Sequence, residues 1–531
     1  MKRIVSVVAA LFLLFSGSVA FAAEWQFAVD VPGTKVRAWM WIPPQCERVR
    51  GLLIGQQVIL EDYVMQHPLI RQAAADTCLA IVLLNRGALG EFDYKGKRDD
   101  LTFQTTLDLL AKESGYAEVA TAPLLPIGHS GSAIWAWNIG YWKPSRTIAI
   151  IGLHAAAIHA PSYDPKATVE GVPFLGISGE YEYWGNPQAP LDMHWRWLRG
   201  TVLEFRGMMQ RPLMSILVDP GGGHFSFNDP MAEYVALFLR SAVAARVPAQ
   251  GDQLKEVPLE SGWLTDITPL NAGENKHKAA PYREFSGEPS LAFWHLNKEL
   301  ALANESYRRS DRGKKDQRVT CGEDSRLLPA AWIEDLKFEP EGDGRTVKLE
   351  AGFLSTTPEG VAGSGVPLGH AAGAPKLKLL GGWFGGGEQV GPQTFRVRAG
   401  HLGLPDTLMV LAYHPGDTTY AYAEQACEVK VPRVTKDGRP QTIEFAKIAD
   451  KFVGAGDIHL DAKATSGLPV DFYVVRGPAE VVGDRLQWTK LPSRTKMPVP
   501  VTVVAYQMGT PVGDKVQSAQ PVEQTFMLQA R

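Results

Sequence analysis

The stretch that decides the fold is residues 124–133, which read Leu-Leu-Pro-Ile-Gly-His-Ser-Gly-Ser-Ala. A short apolar strand runs into a Gly-x-Ser-x-Ser turn, and a helical pattern follows. A serine at the centre of such a turn occupies a strained connection, which needs small residues two positions before and after it. Gly128 meets this demand, and Ser132 stands where glycine is more usual. The pattern predicts that Ser130 is a nucleophile at the start of a helix, where amide dipoles favour developing negative charge.

Apolar runs without polar alternation surround this turn along the chain. Strands buried on both faces give such runs, and helical patterns separate them here. The sequence therefore predicts an α/β fold with a mostly parallel sheet and helices on both faces. The predicted strands are residues 51–55, 79–84, 124–127, 148–152, 173–178 and 214–218, and the predicted helices include 65–75, 101–112, 132–141 and 231–245.

A serine nucleophile needs a general base, and the base needs an orienting acid. In proteins with a nucleophile turn of this kind, the chain order is Ser, acid, His. The last predicted strand is followed by Asp-Pro-Gly-Gly-Gly-His-Phe at 219–225, which makes His224 the predicted base. The preceding strand ends in Gly-Glu-Tyr-Glu, and Glu182 lies three residues after Gly179, where the acid is expected. Glu180 is the alternative acid.

Two backbone N–H groups are expected to hold the oxyanion that forms during acyl transfer. One belongs to Gly131, directly after the nucleophile, and the other to the loop after the first parallel strand. Gln57 is the predicted second donor, and Gln56 is the alternative.

On these residues, the chain from 24 to about 250 resembles the α/β-hydrolase family, including secreted carboxylesterases and polyester or carbohydrate esterases. The resemblance implies hydrolysis of an ester or an amide through an acyl-enzyme, without a cofactor. No metal site is expected. The expected substrate is an extracellular ester on a decorated polysaccharide or a polyester. Two alternatives stay open: a serine peptidase or amidase, and a non-catalytic adhesion protein.

The N-terminus has the pattern of a signal peptide over residues 1–22. Two basic residues precede an apolar run at 4–15, and Ala20-Phe21-Ala22 offers a cleavage site. The protein is therefore expected to be secreted or periplasmic, with no membrane segment after cleavage. Export permits disulfides. The four cysteines pair most simply as Cys46–Cys78 and Cys321–Cys427, and free buried thiols are the alternative.

The second half of the chain changes from helical to alternating patterns. Residues 331–433 and 441–531 each read as a β-sandwich domain, after a catalytic domain at 23–330 whose part beyond about 250 is an extension. Residues 441–445, 464–470 and 501–503 resemble bacterial Ig-like repeats. Such modules are expected to bind a polymer or a cell surface, and to be separable from the chemistry.

The remaining signals are weaker. The formal net charge of −3 does not favour nucleic acid as a partner. His154 and His159 follow a predicted strand and are interpreted as loop residues rather than metal ligands, and Gly-rich residues 381–387 as a β-turn. The aromatic residues near the acid could line a cleft or pack in the core; they are Tyr181, Tyr183, Trp184, Trp195 and Trp197.

Overall fold

The computed structural model describes residues 25–154, 160–182, 193–251, 253–267, 274–323, 326–327, 333–357, 365–381 and 386–531. The predicted signal peptide lies outside these residues. Within them, the first part of the chain builds an eight-stranded sheet. Its strands are β1 Phe27–Asp30, β2 Arg37–Trp41, β3 Gly51–Gln56, β4 Leu79–Leu84, β5 Leu124–His129, β6 Ile150–Leu153, β7 Phe174–Gly179 and β8 Met214–Asp219.

The strand order of this sheet is β1-β2-β4-β3-β5-β6-β7-β8. Only β1 and β2 run antiparallel to their neighbours, and the pairs from β4 to β8 are all parallel. Successive residues of β3 enter different cores, since Leu52 and Ile54 pack on one face and Leu53 on the other. The predicted α/β fold, with a mostly parallel sheet and helices on both faces, is confirmed for this part of the chain.

Helices cover both faces of the sheet. Side chains of α3 and α4 belong to one core, and those of α2 and α6 belong to the other. Their ends follow local rules: Asn228 caps α6 by accepting the Met231 N–H, and α3 stops at Gly115, whose φ is +83°. The helices are α1 Glu61–Gln66, α2 Pro68–Thr77, α3 Asp99–Ser114, α4 Ser132–Trp142, α5 Met193–Met208, α6 Asp229–Arg246 and α7 Lys298–Arg308, with 3₁₀ helices at Ala117–Ala120, Pro144–Arg146, Leu259–Ser261, Tyr282–Glu284 and Pro289–Leu291.

The extension after residue 250 packs against the edge of the main sheet. Its small antiparallel sheet contains β9 Trp263–Asp266, β10 Ala280–Pro281 and β11 Ala292–His295. Trp294 and Leu264 pack with Leu213, directly before β8. In α7, the Asn304 amide donates to the Ile216 carbonyl of β8 at 2.8 Å.

A first all-β unit begins earlier than residue 331. Its first strand, Val319–Glu323, pairs with a later strand of the same unit rather than with the main sheet. This first strand is too short for an alternating pattern to be recognised in the sequence. The strands are β12 Val319–Glu323, β13 Arg326–Leu327, β14 Glu334–Leu336, β15 Thr346–Lys348, β16 Glu350–Phe353, β17 Lys376–Gly381, β18 Glu388–Gly391, β19 Thr394–Arg396, β20 Thr407–His414 and β21 Ala423–Lys430. They form sheets β13-β12-β16, β14-β21-β20-β17 and β15-β19-β18.

A second all-β unit follows. Its sheets are β22-β25, β23-β30-β29-β26 and β24-β28-β27, around a separate apolar core. The strands are β22 Ile443–Phe445, β23 Lys451–Phe452, β24 Ile458–His459, β25 Ala462–Ala464, β26 Asp471–Arg476, β27 Ala479–Val482, β28 Arg485–Trp488, β29 Val499–Tyr506 and β30 Val522–Gln529.

The three parts are joined by contacts in their interiors. Leu380, Met409 and Leu411 of the first β unit belong to the same apolar core as α2 and α6. In the second β unit, the Val475 carbonyl accepts the Trp39 indole N–H at 3.0 Å. These contacts disagree with the expectation that the β units are independent of the α/β part.

Both predicted cysteine pairs form disulfides: Cys46 with Cys78, and Cys321 with Cys427. The first joins the chain before β3 to the end of α2, and the second joins β12 to β21. In the described part of the chain, no helix combines the length and the apolar character that a membrane span needs.

Candidate active site

Ser130 lies in a tight turn between β5 and α4. Its φ is +53°, in the left-handed region that residues with a side chain rarely adopt. A Cβ atom at Gly128 would lie 2.2 Å from the Ser132 carbonyl oxygen, so this position requires glycine. The Ser130 N–H is donated to the Leu153 carbonyl at 2.9 Å, which ties the turn to β6. The strained turn thus holds the Ser130 side chain at the carboxyl edge of the sheet.

Ser132, which replaces the more usual glycine, has a contact of its own. Its side chain is buried, and the hydroxyl donates to the Gln56 carbonyl at 2.7 Å. Gln56 is the last residue of β3, so the bond fixes the first turn of α4 against the neighbouring strand end. Glycine could not make this link.

His224 follows β8 in a loop that turns back over the sheet edge. Its Nε2 lies 2.9 Å from Ser130 Oγ, and its Nδ1 lies 3.0 Å from Glu182 Oε2. The ring is partly exposed, whereas the Glu182 carboxylate is buried. The structure therefore brings Ser130, His224 and Glu182 together. The contacts follow the order that a nucleophile, a base and an orienting acid require.

The two candidate acids occupy different places. Glu182 Oε1 accepts the Gly179 N–H at 2.7 Å, which anchors the carboxylate at the end of β7. Glu180 Oε2 accepts the Gly221 N–H at 3.0 Å, in the turn before His224. The structure thus brings Glu182 to the histidine ring and uses Glu180 to hold the loop backbone.

The two predicted oxyanion donors differ in their surroundings. Gly131 is exposed and is the N-cap residue of α4, directly after Ser130. The Gln57 N–H is donated to the Leu84 carbonyl at 2.9 Å, so the prediction that it holds an oxyanion is wrong. This bond belongs to the parallel pairing of Gln56 with Leu84, the last pair between β3 and β4, and it takes the donor.

Glu61 is a residue of this region that the sequence analysis missed. Its Oε1 accepts the His129 N–H at 2.7 Å, and its Oε2 accepts the N–H groups of Val58 and Ile59 at 2.7 and 3.1 Å. Burial raises the pKa of Glu61 to about 7, although these hydrogen bonds favour the carboxylate. Glu61 therefore ties the loop after β3 to the residue before the nucleophile. Its signal in the sequence is an acid next to the apolar run at 58–60.

His154 contacts the acid from the side opposite His224. Its Nδ1 lies 2.9 Å from Glu182 Oε1, and its Nε2 lies 2.8 Å from the Ser226 carbonyl oxygen. The ring is fully buried. His154, interpreted from sequence as a loop residue rather than a metal ligand, directly follows β6, and its side chain belongs to the hydrogen-bonded cluster around Glu182. His159 lies outside the described residues.

A residue of the first β unit reaches the loop that carries His224. Glu424 Oε1 accepts the Gly223 N–H at 2.7 Å, and its Oε2 accepts the Tyr422 hydroxyl at 2.6 Å. A Cβ atom at Gly221, whose φ is +71°, would lie 2.2 Å from the Tyr422 carbonyl oxygen. The β unit therefore packs directly on this loop, and the glycines of the loop permit that approach.

The structure adds few contacts for the other residues that the sequence singled out. The Arg318 guanidinium lies 3.8 Å from the centre of the Tyr181 ring, whereas Tyr183, Trp184 and the side chains of Trp195 and Trp197 lie outside the described parts. Residues 382–385 of the Gly-rich run lie outside them too. One described cluster has the composition of a metal site, Cys321 with Glu334 and Cys427, but its cysteines form a disulfide and offer no thiolate.

No protein-family model matches the chain, and no curated protein matches it. Several solved structures are similar to its first part. A putative α/β hydrolase from Agrobacterium tumefaciens is 15% identical over 44% of this chain and 100% of that chain, with a TM-score of 0.29. A soluble variant of monoglyceride lipase from Saccharomyces cerevisiae is 11% identical over 41% and 94%, with a TM-score of 0.29. Est1E from Butyrivibrio proteoclasticus is 13% identical over 41% and 99%, with a TM-score of 0.28.

Proposed function

We propose that the protein is an exported serine hydrolase that cleaves carboxylic esters through an acyl-enzyme. One observation carries the proposal: Ser130 Oγ is 2.9 Å from His224 Nε2, and His224 Nδ1 is 3.0 Å from Glu182. A nucleophile, a base and an acid at these distances have the geometry for general-base activation of a hydroxyl. The left-handed turn at Ser130 further supports a nucleophile, since such strain is typical of reactive positions.

The reaction starts when Ser130 Oγ attacks the carbonyl carbon of the ester and its proton passes to His224 Nε2. The C–O bond to the alcohol then breaks, and His224 returns the proton to the departing alkoxide. Water attacks the acyl-enzyme with His224 again as base, which frees the acid and restores Ser130. Glu182 stabilises the imidazolium that forms twice in this cycle.

The Gly131 N–H is the proposed oxyanion donor. It follows the nucleophile at the first turn of α4, where the backbone N–H groups have no partners within the helix. The positive end of the helix dipole adds to this effect.

The substrate is proposed to be an extracellular ester that is presented on a polysaccharide or a polyester. Both cysteine pairs are oxidised to disulfides, which agrees with an exported protein. In this proposal the second β unit is an Ig-like module that contacts the polymer or a cell surface. No cofactor has a role in the reaction.

A fluorophosphonate probe tests the proposal, because it phosphonylates an activated serine. We expect stoichiometric labelling at Ser130, complete loss of labelling in Ser130→Ala, and strong loss in His224→Ala. Ser145→Ala, which removes an exposed serine hydroxyl, is the matched control and should label like the wild type. An unlabelled wild-type protein would contradict the proposal and favour the adhesion alternative.

Hydrolysis assays then define the chemistry. We expect turnover of p-nitrophenyl esters, and a loss of at least about 10⁴-fold in kcat for Ser130→Ala. A series of acyl chain lengths, with the matching anilides, separates an esterase from an amidase. Faster cleavage of the anilides than of the esters would overturn the ester assignment while leaving the nucleophile in place.

A further inference from the structure

We propose that His154 is a positioning residue, a buried imidazolium that shares the carboxylate of Glu182 with His224 and offsets its negative charge. The inference rests on the proposed function, because it concerns how the acid acts on the base. It assigns a second histidine to the acid, on the oxygen that His224 does not use.

The hydrogen-bond partners of His154 determine its protonation. Its Nε2 lies 2.8 Å from the Ser226 carbonyl oxygen, which can only accept, so Nε2 carries a proton. Its Nδ1 lies 2.9 Å from Glu182 Oε1, which already accepts the Gly179 N–H. A bare Nδ1 would set its lone pair against an ionised carboxylate oxygen. A proton on both nitrogens makes every contact of the ring favourable.

The groups around His154 agree with a positive charge. Burial lowers the pKa of His154, but the charge and hydrogen bond of Glu182, the hydrogen bond to the Ser226 carbonyl and the charge of Asp219 together raise it overall. Glu424 also interacts with the ring electrostatically. The centres of the neighbouring His129 and His224 rings lie 5.8 and 6.0 Å from the centre of the His154 ring.

His129, the other neighbouring ring, must also stay neutral for this arrangement to hold. Burial lowers its pKa well below the usual value, and the charges of His224 and His154 lower it further. Its Nε2 lies 2.9 Å from the His224 carbonyl oxygen, so a neutral ring with the proton on Nε2 satisfies that contact. The positive charge beside Glu182 is therefore assigned to His154.

The backbone also fixes this side chain. His154 directly follows β6, its φ is +48°, and its N–H is donated to the Ile177 carbonyl at 2.7 Å. The preceding carbonyl, that of Leu153, accepts the Ser130 N–H. His154 thus directly follows Leu153, the last residue of β6, whose carbonyl anchors the nucleophile turn.

A positive charge beside Glu182 changes what His224 experiences. An isolated carboxylate favours protonated His224, which cannot act as a base. An imidazolium on the other oxygen offsets that attraction, so His224 stays neutral and active at lower pH. His154 would thereby widen the active pH range on its acid side without touching the substrate.

The variant His154→Asn tests this role. Asparagine tolerates a left-handed backbone and keeps a donor toward Glu182 Oε1, but it carries no charge. With a soluble p-nitrophenyl ester, we expect the acid limb of the kcat/KM profile to move to higher pH by about one unit. At alkaline pH, kcat/KM should stay within about fivefold of the wild type. An acid limb that does not move overturns the proposal.

His295→Asn is the matched control, because it removes another buried histidine outside this cluster. Burial lowers the pKa of His295 to about 3, and its Nε2 is bonded to the Thr265 hydroxyl. Its loss removes no charge, so the acid limb should stay in place. A shift of the same size in both variants would indicate general destabilisation and would overturn the assigned role.

A measurement without substrate separates this inference from the proposed function. In ¹⁵N-histidine NMR of the full chain, we expect one of the 12 histidines to keep protons on both ring nitrogens at pH 8, and its signals to vanish in His154→Asn. A wild-type spectrum without such an imidazolium overturns the proposal even if the variant does not fold. A protein with the imidazolium but no esterase activity would instead overturn the proposed function.

Discussion

Replacing Glu424 with alanine removes a carboxylate that belongs to the first β unit but holds the loop before His224. Its two oxygens accept the Gly223 N–H and the Tyr422 hydroxyl. The substitution leaves both donors without this acceptor at a junction between two parts of the chain. We expect Glu424→Ala to lower both stability and ester turnover.

The magnitude follows from the two lost contacts. An unsatisfied buried donor costs about 1–3 kcal/mol. Glu424 and Tyr422 are only partly buried, so the low end applies to each donor and the expected loss is about 2 kcal/mol. Because Gly223 immediately precedes His224, a loosened loop also misplaces the base. A displacement near 1 Å corresponds to a loss of up to about 100-fold in kcat/KM.

Glu424→Gln separates the hydrogen bond from the charge. Burial raises the pKa of Glu424 to about 7, so the neutral form is already well populated near neutral pH. Glutamine resembles that form and keeps an acceptor for the Gly223 N–H. We therefore expect Glu424→Gln to retain kcat/KM within about threefold of the wild type.

The assay combines urea unfolding with hydrolysis of a soluble p-nitrophenyl ester at 25 °C. Asp335→Ala is the control, since it removes an exposed carboxylate of the same β unit whose ion pair with Lys430 contributes little. The reasoning is refuted if Glu424→Ala matches the wild type in both measurements. It is also refuted if Glu424→Gln is as impaired as the alanine variant.

Further predictions concern folding of the site and its pH dependence. Gly128→Ala should prevent correct folding of the nucleophile turn, seen as insolubility or lost tertiary circular dichroism, whereas Gly131→Ala, whose new methyl group would meet no atom within 4 Å, should fold. Loss of the Cys46–Cys78 disulfide, which closes a loop with a sequence separation of 32, should cost about 3–4 kcal/mol in urea unfolding, and an unchanged midpoint after reduction would contradict this. Glu61→Gln should destabilise the protein by about 1–3 kcal/mol, because an NH₂ group would face backbone N–H donors. The folded state raises the pKa of Glu61 from 4.5 to about 7, so its stabilising effect is present below pH 4.5 and is lost as pH rises through 7; the variant should lose this dependence between about pH 4.5 and 7.

Removal of the β units should also be costly, in contrast to the expectation from sequence. A chain that ends before β12 lacks Glu424 and exposes apolar residues that pack against Leu380, Met409 and Leu411. We expect it to aggregate or to hydrolyse a soluble ester much more slowly than the full chain. Near full activity in a soluble shortened chain would show that these contacts are dispensable.

The sequence by itself determined those features that depend on neighbours along the chain. The small residue at Gly128 is a steric demand of the turn, so the pattern around Ser130 is visible in ten letters. Continuous apolar runs indicate strands buried on both faces, which predicted the central sheet. The loop glycines before His224 and the acid after β7 likewise stand at the strand ends where a parallel sheet collects functional side chains.

Other features depend on which strands and domains meet, and the tertiary structure alone decided them. Gln57 lost its predicted role because its N–H is donated to Leu84, the partner of Gln56 in β4, and no local pattern specifies that register. His154 and Glu61 meet their partners across 28 and 68 positions of the chain.

The contact of Glu424 with Gly223 spans 201 positions and joins two parts of the molecule that the sequence presents as separate. An alternating pattern shows that a strand has one apolar face, but it does not show what covers the edges and loops of the domain. The first β unit therefore looked independent in sequence, whereas in the structure its carboxylate completes the hydrogen bonds of the loop that carries His224. The physical reason is that a buried N–H group needs an acceptor from whichever segment packs against it, however distant in sequence.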